Sequence, residues 1–298
     1  MSTRHIPVLL HEVVAAFGPL AGKLLVDGTL GGGGHTRALL DAGAARVVGF
    51  DRDAGALERV GEIAGLTKVQ GNFVEMGAVL DGLGVAVVDG VLLDLGYSSD
   101  QMDDAARGMS YSHDGPLDMR MDVGERLTAA EIVNGWREEE IADVLWRYGE
   151  EPKSRAIARK LVAARKARPL ETTGELLAVL DEVYPPRGQA RSHPAARTFQ
   201  ALRVAVNHEL ADIEAAVPQA AQRLAVGGRL VVITFNSLED KLVKRLMQGL
   251  ARDELDNVGR VVKPAVFKML KKVMPSAEEV AGNRRARSCK LRVLERVR

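Results

Sequence analysis

A doubly wound α/β sheet interrupted by an inserted helical subdomain is the fold class this sequence predicts. Between Lys23 and Asp94 short β-rich runs alternate with helical stretches, the rhythm of a parallel sheet built from βαβ units. That rhythm stops after Gly96, where a long and mostly helical pattern takes over. It resumes at Arg229–Phe235 (RLVVITF), an apolar run preceded by a glycine pair.

In chain order, the first strand is Lys23–Asp27 (KLLVD), followed by a glycine cluster and a helix near Thr36–Ala42. The second is Arg46–Asp51 (RVVGFD), the third Thr67–Gln70, and the fourth Val87–Asp94 (VVDGVLLD). These strands are continuous apolar runs, as expected where helices cover both faces of a sheet. From Ala105 to Arg203 the capping patterns at Thr128 (TAAE) and Thr172 (TTGE) start helices, and Pro152, after two glutamates, reads as a helix-opening residue. Val204–Leu224 then predicts one long amphipathic helix ended by Gly227–Gly228. The β-like runs Val261–Lys263 and Leu291–Leu294 predict an antiparallel pair at the sheet edge. The domains drawn from this pattern are 1–104 with 204–298, and 105–203.

A chain of 298 residues, 46% of them hydrophobic, can bury one large core and a second, smaller one. Met1–Glu12 holds no apolar run of signal-peptide length, and no later stretch approaches the roughly 20 apolar residues of a membrane span. The one cysteine, Cys289, forms no internal disulfide and makes no ordinary zinc site, while His5, His11, His113, His193 and His208 lack ligand spacing. A cytoplasmic protein without membrane or metal is the expectation.

The net charge of +1 hides an uneven distribution. Residues 152–203 carry eleven Lys or Arg against four acids, a net of +7, and residues 263–298 carry eleven against three, a net of +8. Two basic stretches suit a polyanionic partner, although each alone reads equally as a solvated helix face. Lys153, Arg155, Arg197 and Arg203 are the candidate phosphate contacts. Aromatic residues make up only 4% of the chain, too few for a surface built mainly of base-stacking rings.

The chemistry-bearing segment is Val26–Thr36 (VDGTLGGGGHT), an acid at a strand end, four consecutive glycines and the start of a helix. Glycines there let the backbone turn tightly and approach a ligand, with helix N–H groups directed into the same space. Asp51, at the end of the next strand, has the position of an acid that accepts both hydroxyls of a ribose, so the pair indicates an adenosine-bearing cofactor. The third glycine of the dinucleotide pattern is missing, and Asp27 beside a pyrophosphate would be repulsive. Next to the positive centre of S-adenosylmethionine it would be favourable. Asp27 reads either as that cofactor contact or as a cap on the following turn.

The fourth strand ends in Asp94-Leu-Gly-Tyr97, the spacing of the Asp/Asn-Pro-Pro-Tyr motif of amino-methyltransferases without its prolines. In such a site an acid accepts hydrogen from an exocyclic amine and directs its lone pair at the methyl group. Asp94 and Tyr97 are the candidate catalytic residues. Tyr97 either stacks on the target base or packs down as a loop residue, and the segment Pro116–Asp122 either lies beneath that base or forms an ion-pair network. Spacing alone leaves a DNA amino-methyltransferase and a non-catalytic RNA-binding assembly factor open.

Taken together, His5–Leu10, Val26–Thr36, Gly49–Asp53, Asp89–Ser99 with Gln101, Pro116–Asp122, Tyr148–Glu151, His193–Arg203, Val206–Leu210, Phe235–Lys241 and Arg285–Lys290 resemble the ribosomal RNA small subunit methyltransferase H family, also called MraW, along essentially the whole chain. The resemblance implies a Rossmann-like class I methyltransferase sheet with an inserted substrate-recognition domain, S-adenosyl-L-methionine as cofactor, and N4-methylation of a decoding-site cytidine in 16S ribosomal RNA. It further implies RNA within the 30S subunit as partner, rather than DNA, and leaves a homodimer open. Carried over by motif, the cofactor contacts fall on Gly33, Gly34, His35, Asp51, Phe73, Asp94 and Gln101. Tyr97, Asn236 and Lys241 depart from the family pattern, which has Val, His and Arg there.

Overall fold

A computed structural model describes residues 7–96, 102, 104–184 and 193–298. The chain divides into two compact units, Met1–Gly96 with Leu210–Arg298, and Tyr97–Glu209.

The first unit is built on a seven-stranded sheet of order β3-β2-β1-β4-β5-β9-β8. Its strands are β1 (Leu24–Asp27), β2 (Arg46–Asp51), β3 (Leu66–Gln70), β4 (Val88–Asp94), β5 (Leu224–Thr234), β8 (Phe267–Met269) and β9 (Lys290–Arg296). The first five pair in parallel, while β9 runs antiparallel to both β5 and β8. Val26, Val48, Val91, Leu93 and Val232 are fully buried, which is why these strands read as unbroken apolar runs. Helix α1 (Leu10–Phe17) precedes β1, and α2 (Gly34–Asp41), α3 (Ala54–Val60) and α4 (Met76–Gly82) follow β1, β2 and β3 in turn.

The second unit packs helices α5 (Ala129–Gly135), α6 (Glu138–Gly149), α7 (Ser154–Ala164), α8 (Thr173–Val183) and α9 (Ala195–Val206) around Ile132, Ile141, Leu145, Ile157, Leu176, Phe199 and Leu202. Thr128 with Glu131 and Thr172 with Glu175 form reciprocal capping boxes, as their spacing predicts. Pro152 lies in the turn just ahead of α7 rather than in its first turn.

Three expectations are corrected. The single helix over Val204–Leu224 is two: α9 ends at Asn207, His208 takes a left-handed conformation (φ 54°), and α10 (Glu209–Arg223) begins afresh. Gly227–Gly228 does not end a helix but lies inside β5, where the pairing with β4 slips between Val88 and Gly90. Val261–Lys263 (β7) pairs with β6 (Glu254–Leu255) in a separate ribbon, and the sheet edge is made instead by Phe267–Met269. Among the described residues no helix is long and apolar enough to cross a membrane.

Candidate active site

Because β1, β2, β4 and β5 run parallel, their carboxyl ends lie along one edge, where open α/β sheets bind ligands. The glycine segment crosses this edge. Gly28 donates its N–H to Leu92 O (2.9 Å), and a Cβ there would stand 2.5 Å from Leu93 Cδ2 and 3.0 Å from Phe73 Cβ. Gly33, in the left-handed region at φ 73°, supplies the cap from which α2 starts, a conformation costly for any side chain-bearing residue.

Asp27 is spent on this turn. One carboxylate oxygen accepts from the Thr29 N–H (3.1 Å), the other from the Thr36 hydroxyl (2.7 Å), and the residue is 1% exposed. Burial raises its pKa, with the Thr36 hydrogen bond and the His35 ring opposing that rise. Of its two sequence readings, the structure shows the cap on the following turn, each oxygen accepting from one of the loop's own donors. Asp51 ties the loop to the second strand: Oδ2 accepts from Gly31 N–H and Oδ1 from Asp53 N–H, each at 2.8 Å. It is half-buried, and burial raises its pKa against those two bonds. Each of its oxygens retains a lone pair for a ribose hydroxyl.

Asp94 is anchored through its backbone, whose N–H donates to Thr29 Oγ1 at 2.7 Å. Its side chain faces His35, with Nε2 3.4 Å from Oδ2, and the two side chains are 18% and 7% exposed. Asp94 Oδ1 and both ring nitrogens of His35 are buried and have no hydrogen-bond partner among the described residues. Unsatisfied buried polar atoms are costly and uncommon, and three at one sheet edge mark a place built for a ligand. Burial pulls the His35 pKa down, but the Asp94 carboxylate 3.4 Å from the ring, with the charge of Asp27, outweighs it and leaves the ring above its ordinary value.

Phe73 opens a short 3-10 turn after β3, half-buried, with the Arg52 guanidinium 5.9 Å from its ring centre. Arg52 pairs with Asp212 of α10. Cys289 is fully buried, its thiol pushed up to about 12 by burial, then by the charges of Asp94, Glu279 and Glu239. Asn236 caps helix α11 (Ser237–Leu250), its Oδ1 accepting from the N–H groups of Leu238 and Glu239 at 3.0 Å each. That accounts for asparagine, which suits an N-cap better than histidine does. Tyr97 and Gln101 lie outside the described residues. Thr29 was not singled out from sequence, yet it joins Asp27 to Asp94; the Asp-x-Thr turn pattern was the available signal.

The structure separates the four candidate phosphate contacts. Arg155 and Arg197 are exposed. Lys153 is exposed with its Nζ donating to Val183 O (2.9 Å) and lying 4.3 Å from the Tyr184 ring centre. Arg203 is a correction: it is 5% exposed and its guanidinium grips Glu209 through Nε (2.7 Å) and Nη2 (3.1 Å), so it stabilises the junction between α9 and α10 instead of facing a polyanion. Pro116–Asp122 has the ion-pair arrangement: Arg120 binds Asp118 at 2.7 Å and the carbonyls of Val123 and Glu125.

Parallel strands tipped by three acids, a glycine turn and a buried carboxylate oxygen unpaired among the described residues define a class I methyltransferase, with S-adenosylmethionine as its methyl donor. A model of the MraW methylase family matches residues 2–297, and the chain belongs to that family. The ribosomal RNA small subunit methyltransferase H of Deinococcus deserti is 47% identical over 296 residues, covering 98% of this chain and 93% of that one. The protein of the same name from Deinococcus radiodurans is 48% identical over 296 residues, covering 98% and 89%. That from Granulibacter bethesdensis is 44% identical over 308 residues, covering 99% and 92%. The unpaired atoms of His35 and Asp94 and the close-packed glycine turn fit such a donor, which needs polar partners and close backbone approach but no pyrophosphate cradle.

Proposed function

We propose that this methyltransferase acts on the exocyclic N4 amine of a decoding-site cytidine in small-subunit ribosomal RNA, presented within the 30S subunit in the cytoplasm. The observation that carries the reading is the buried Oδ1 of Asp94 at the carboxyl edge of the sheet, without a hydrogen-bond partner among the described residues. A carboxylate oxygen there accepts hydrogen from an amine and turns its lone pair toward the methyl group, and placement in line accounts for much of the rate. The names of the relatives support ribosomal RNA as the substrate.

When bound, S-adenosylmethionine supplies an electrophilic methyl group on a sulfonium. Gly33 and Gly34 offer backbone at the turn, Asp51 accepts ribose hydroxyls, and Phe73 gives an apolar face for the adenine, with Gln101 added by the family resemblance. Tyr97 is assigned by motif as a second wall for the target base. The unit Tyr97–Glu209 serves as the substrate-recognition domain, with Lys153, Arg155 and Arg197 contacting phosphates. The cytidine must leave its stack to reach Asp94. Light scattering of the purified chain decides separately whether it forms a homodimer.

The test is nucleoside mass spectrometry of ribosomal RNA from cells with and without the protein, followed by addition of purified protein and methyl donor. N4-methylated cytidine should vanish on deletion and return on addition, and Asp94→Ala should fail to restore it while still binding S-adenosylhomocysteine. Full activity of that variant, or methylation of duplex DNA but not of ribosomal particles, would overturn the reading.

A further inference from the structure

His35 is carried over from the family as a cofactor contact, yet its ring is turned toward an acid. It sits in the first turn of α2, 6% exposed, with Nε2 3.4 Å from Asp94 Oδ2. The two oxygens of Asp94 are therefore unlike each other: Oδ2 faces a cation-forming ring, and Oδ1 is buried without a hydrogen-bond partner among the described residues. A lone carboxylate rotates about its terminal bond and presents either oxygen. One held at Oδ2, with its backbone fixed by Thr29, presents only Oδ1.

We infer that His35 is a positioning residue for the methyl transfer: its Nε2–H holds Asp94 Oδ2, so that Oδ1 alone is left to accept the N–H of the target amine. The inference rests on the reading of Asp94 as the amine acceptor. The 3.4 Å separation is longer than a made hydrogen bond, as is common for catalytic contacts before the complex closes. The groups that face the ring from the packed elements are Asp94 at the end of β4 and Asp27 at the end of β1. Asp27 is engaged by Thr29 and Thr36, which leaves Asp94 as the acid with an oxygen open to the ring. Cys289, which also lies within the field of Asp94, stays a neutral thiol and does not compete for the role.

Two measurements test the inference. In the first, His35→Ala and His35→Gln are assayed on 30S particles, alongside S-adenosylhomocysteine affinity by calorimetry. Loss of a charge-assisted hydrogen bond predicts that kcat falls about 10- to 100-fold in the alanine variant. Affinity for S-adenosylhomocysteine should hold, and glutamine, whose amide nitrogen reaches the position of Nε2, should restore most of the rate. Weakened S-adenosylhomocysteine binding in both variants with no rescue would make His35 a cofactor contact, and an unchanged kcat would remove it from the reaction; either overturns the inference.

The second reads the pair without activity: the imidazole of His35 is titrated by NMR in the wild-type protein and in Asp94→Asn. The His35 pKa should fall in the variant, because the neutral amide no longer favours the charged ring. An unchanged pKa overturns the pairing even if the alanine variant fails to fold. Should Asp94→Ala keep full methylation while the NMR shift is observed, the amine-acceptor role fails and the pairing survives, so the two failures are told apart.

Discussion

Replacing Arg203 with methionine tests directly whether this arginine belongs to the fold or to the RNA. Its guanidinium and the Glu209 carboxylate are 6% and 9% exposed as side chains, joined by two hydrogen bonds across the break between α9 and α10. Removing one partner of a buried pair leaves the other charge uncompensated, at a cost of about 3–5 kcal/mol. With a urea slope of about 2 kcal/mol/M, that is a midpoint lowered by about 1.5–2.5 M. The sequence contains two tryptophans, Trp136 and Trp146, and both lie in the Tyr97–Glu209 unit, so their fluorescence during urea unfolding reports this unit alone. The double variant Arg203→Met with Glu209→Leu should regain most of the loss, since apolar replacement of a whole buried pair is close to neutral. A single variant whose midpoint stays within about 0.3 M of the wild type, yet binds RNA with a shallower salt dependence, would refute the argument and return Arg203 to the phosphate contacts.

Three further outcomes are expected. Asn207, 4% exposed, accepts from Met121 N–H (2.7 Å) and donates to the carbonyls of Met119 and Arg203, so Asn207→Ala should destabilise the same unit by about 2–4 kcal/mol, read by the same fluorescence. Burial raises the Asp240 pKa, but hydrogen bonds from Arg292 and Lys290 outweigh it and hold the carboxyl below its ordinary 3.8. Its stabilisation is therefore present above that value and lost as pH falls through the lower folded pKa, and the stability gap between wild type and Asp240→Asn should close only on acidification below 3.8. Arg155→Ala should leave the melting temperature unchanged and lower the slope of log affinity for ribosomal RNA against log salt by about 1, measured by filter binding across a salt series.

Local chemistry was legible wherever a residue's role depends on its near neighbours. The Thr128–Glu131 and Thr172–Glu175 boxes close within four residues, and apolar runs such as Val47–Phe50 announce strands buried on both faces, so these elements followed from the chain alone. The strand-end acids Asp51 and Asp94 were legible for the same reason, because each stands where an apolar run meets a loop. What the sequence could not carry was direction. Asp27 and Asp94 look alike in the chain, each closing an apolar strand. Only the packed structure turns one into its own loop, onto Thr29 and Thr36, and leaves the other beside His35 with an oxygen that no described residue pairs. Arg203 likewise reads as one basic residue among eleven until Glu209, six positions on, folds back across the His208 break to bury it. The edge of the sheet was misplaced for the same reason: Val261–Lys263 is a short β-like run, but pairing between distant segments sets Phe267–Met269 against β9 instead. By itself the sequence determined the sheet, the glycine turn and the family; tertiary structure decided which charges are consumed inside the fold and which remain to do chemistry, because a side chain's partners are set by what long-range packing brings within hydrogen-bond reach.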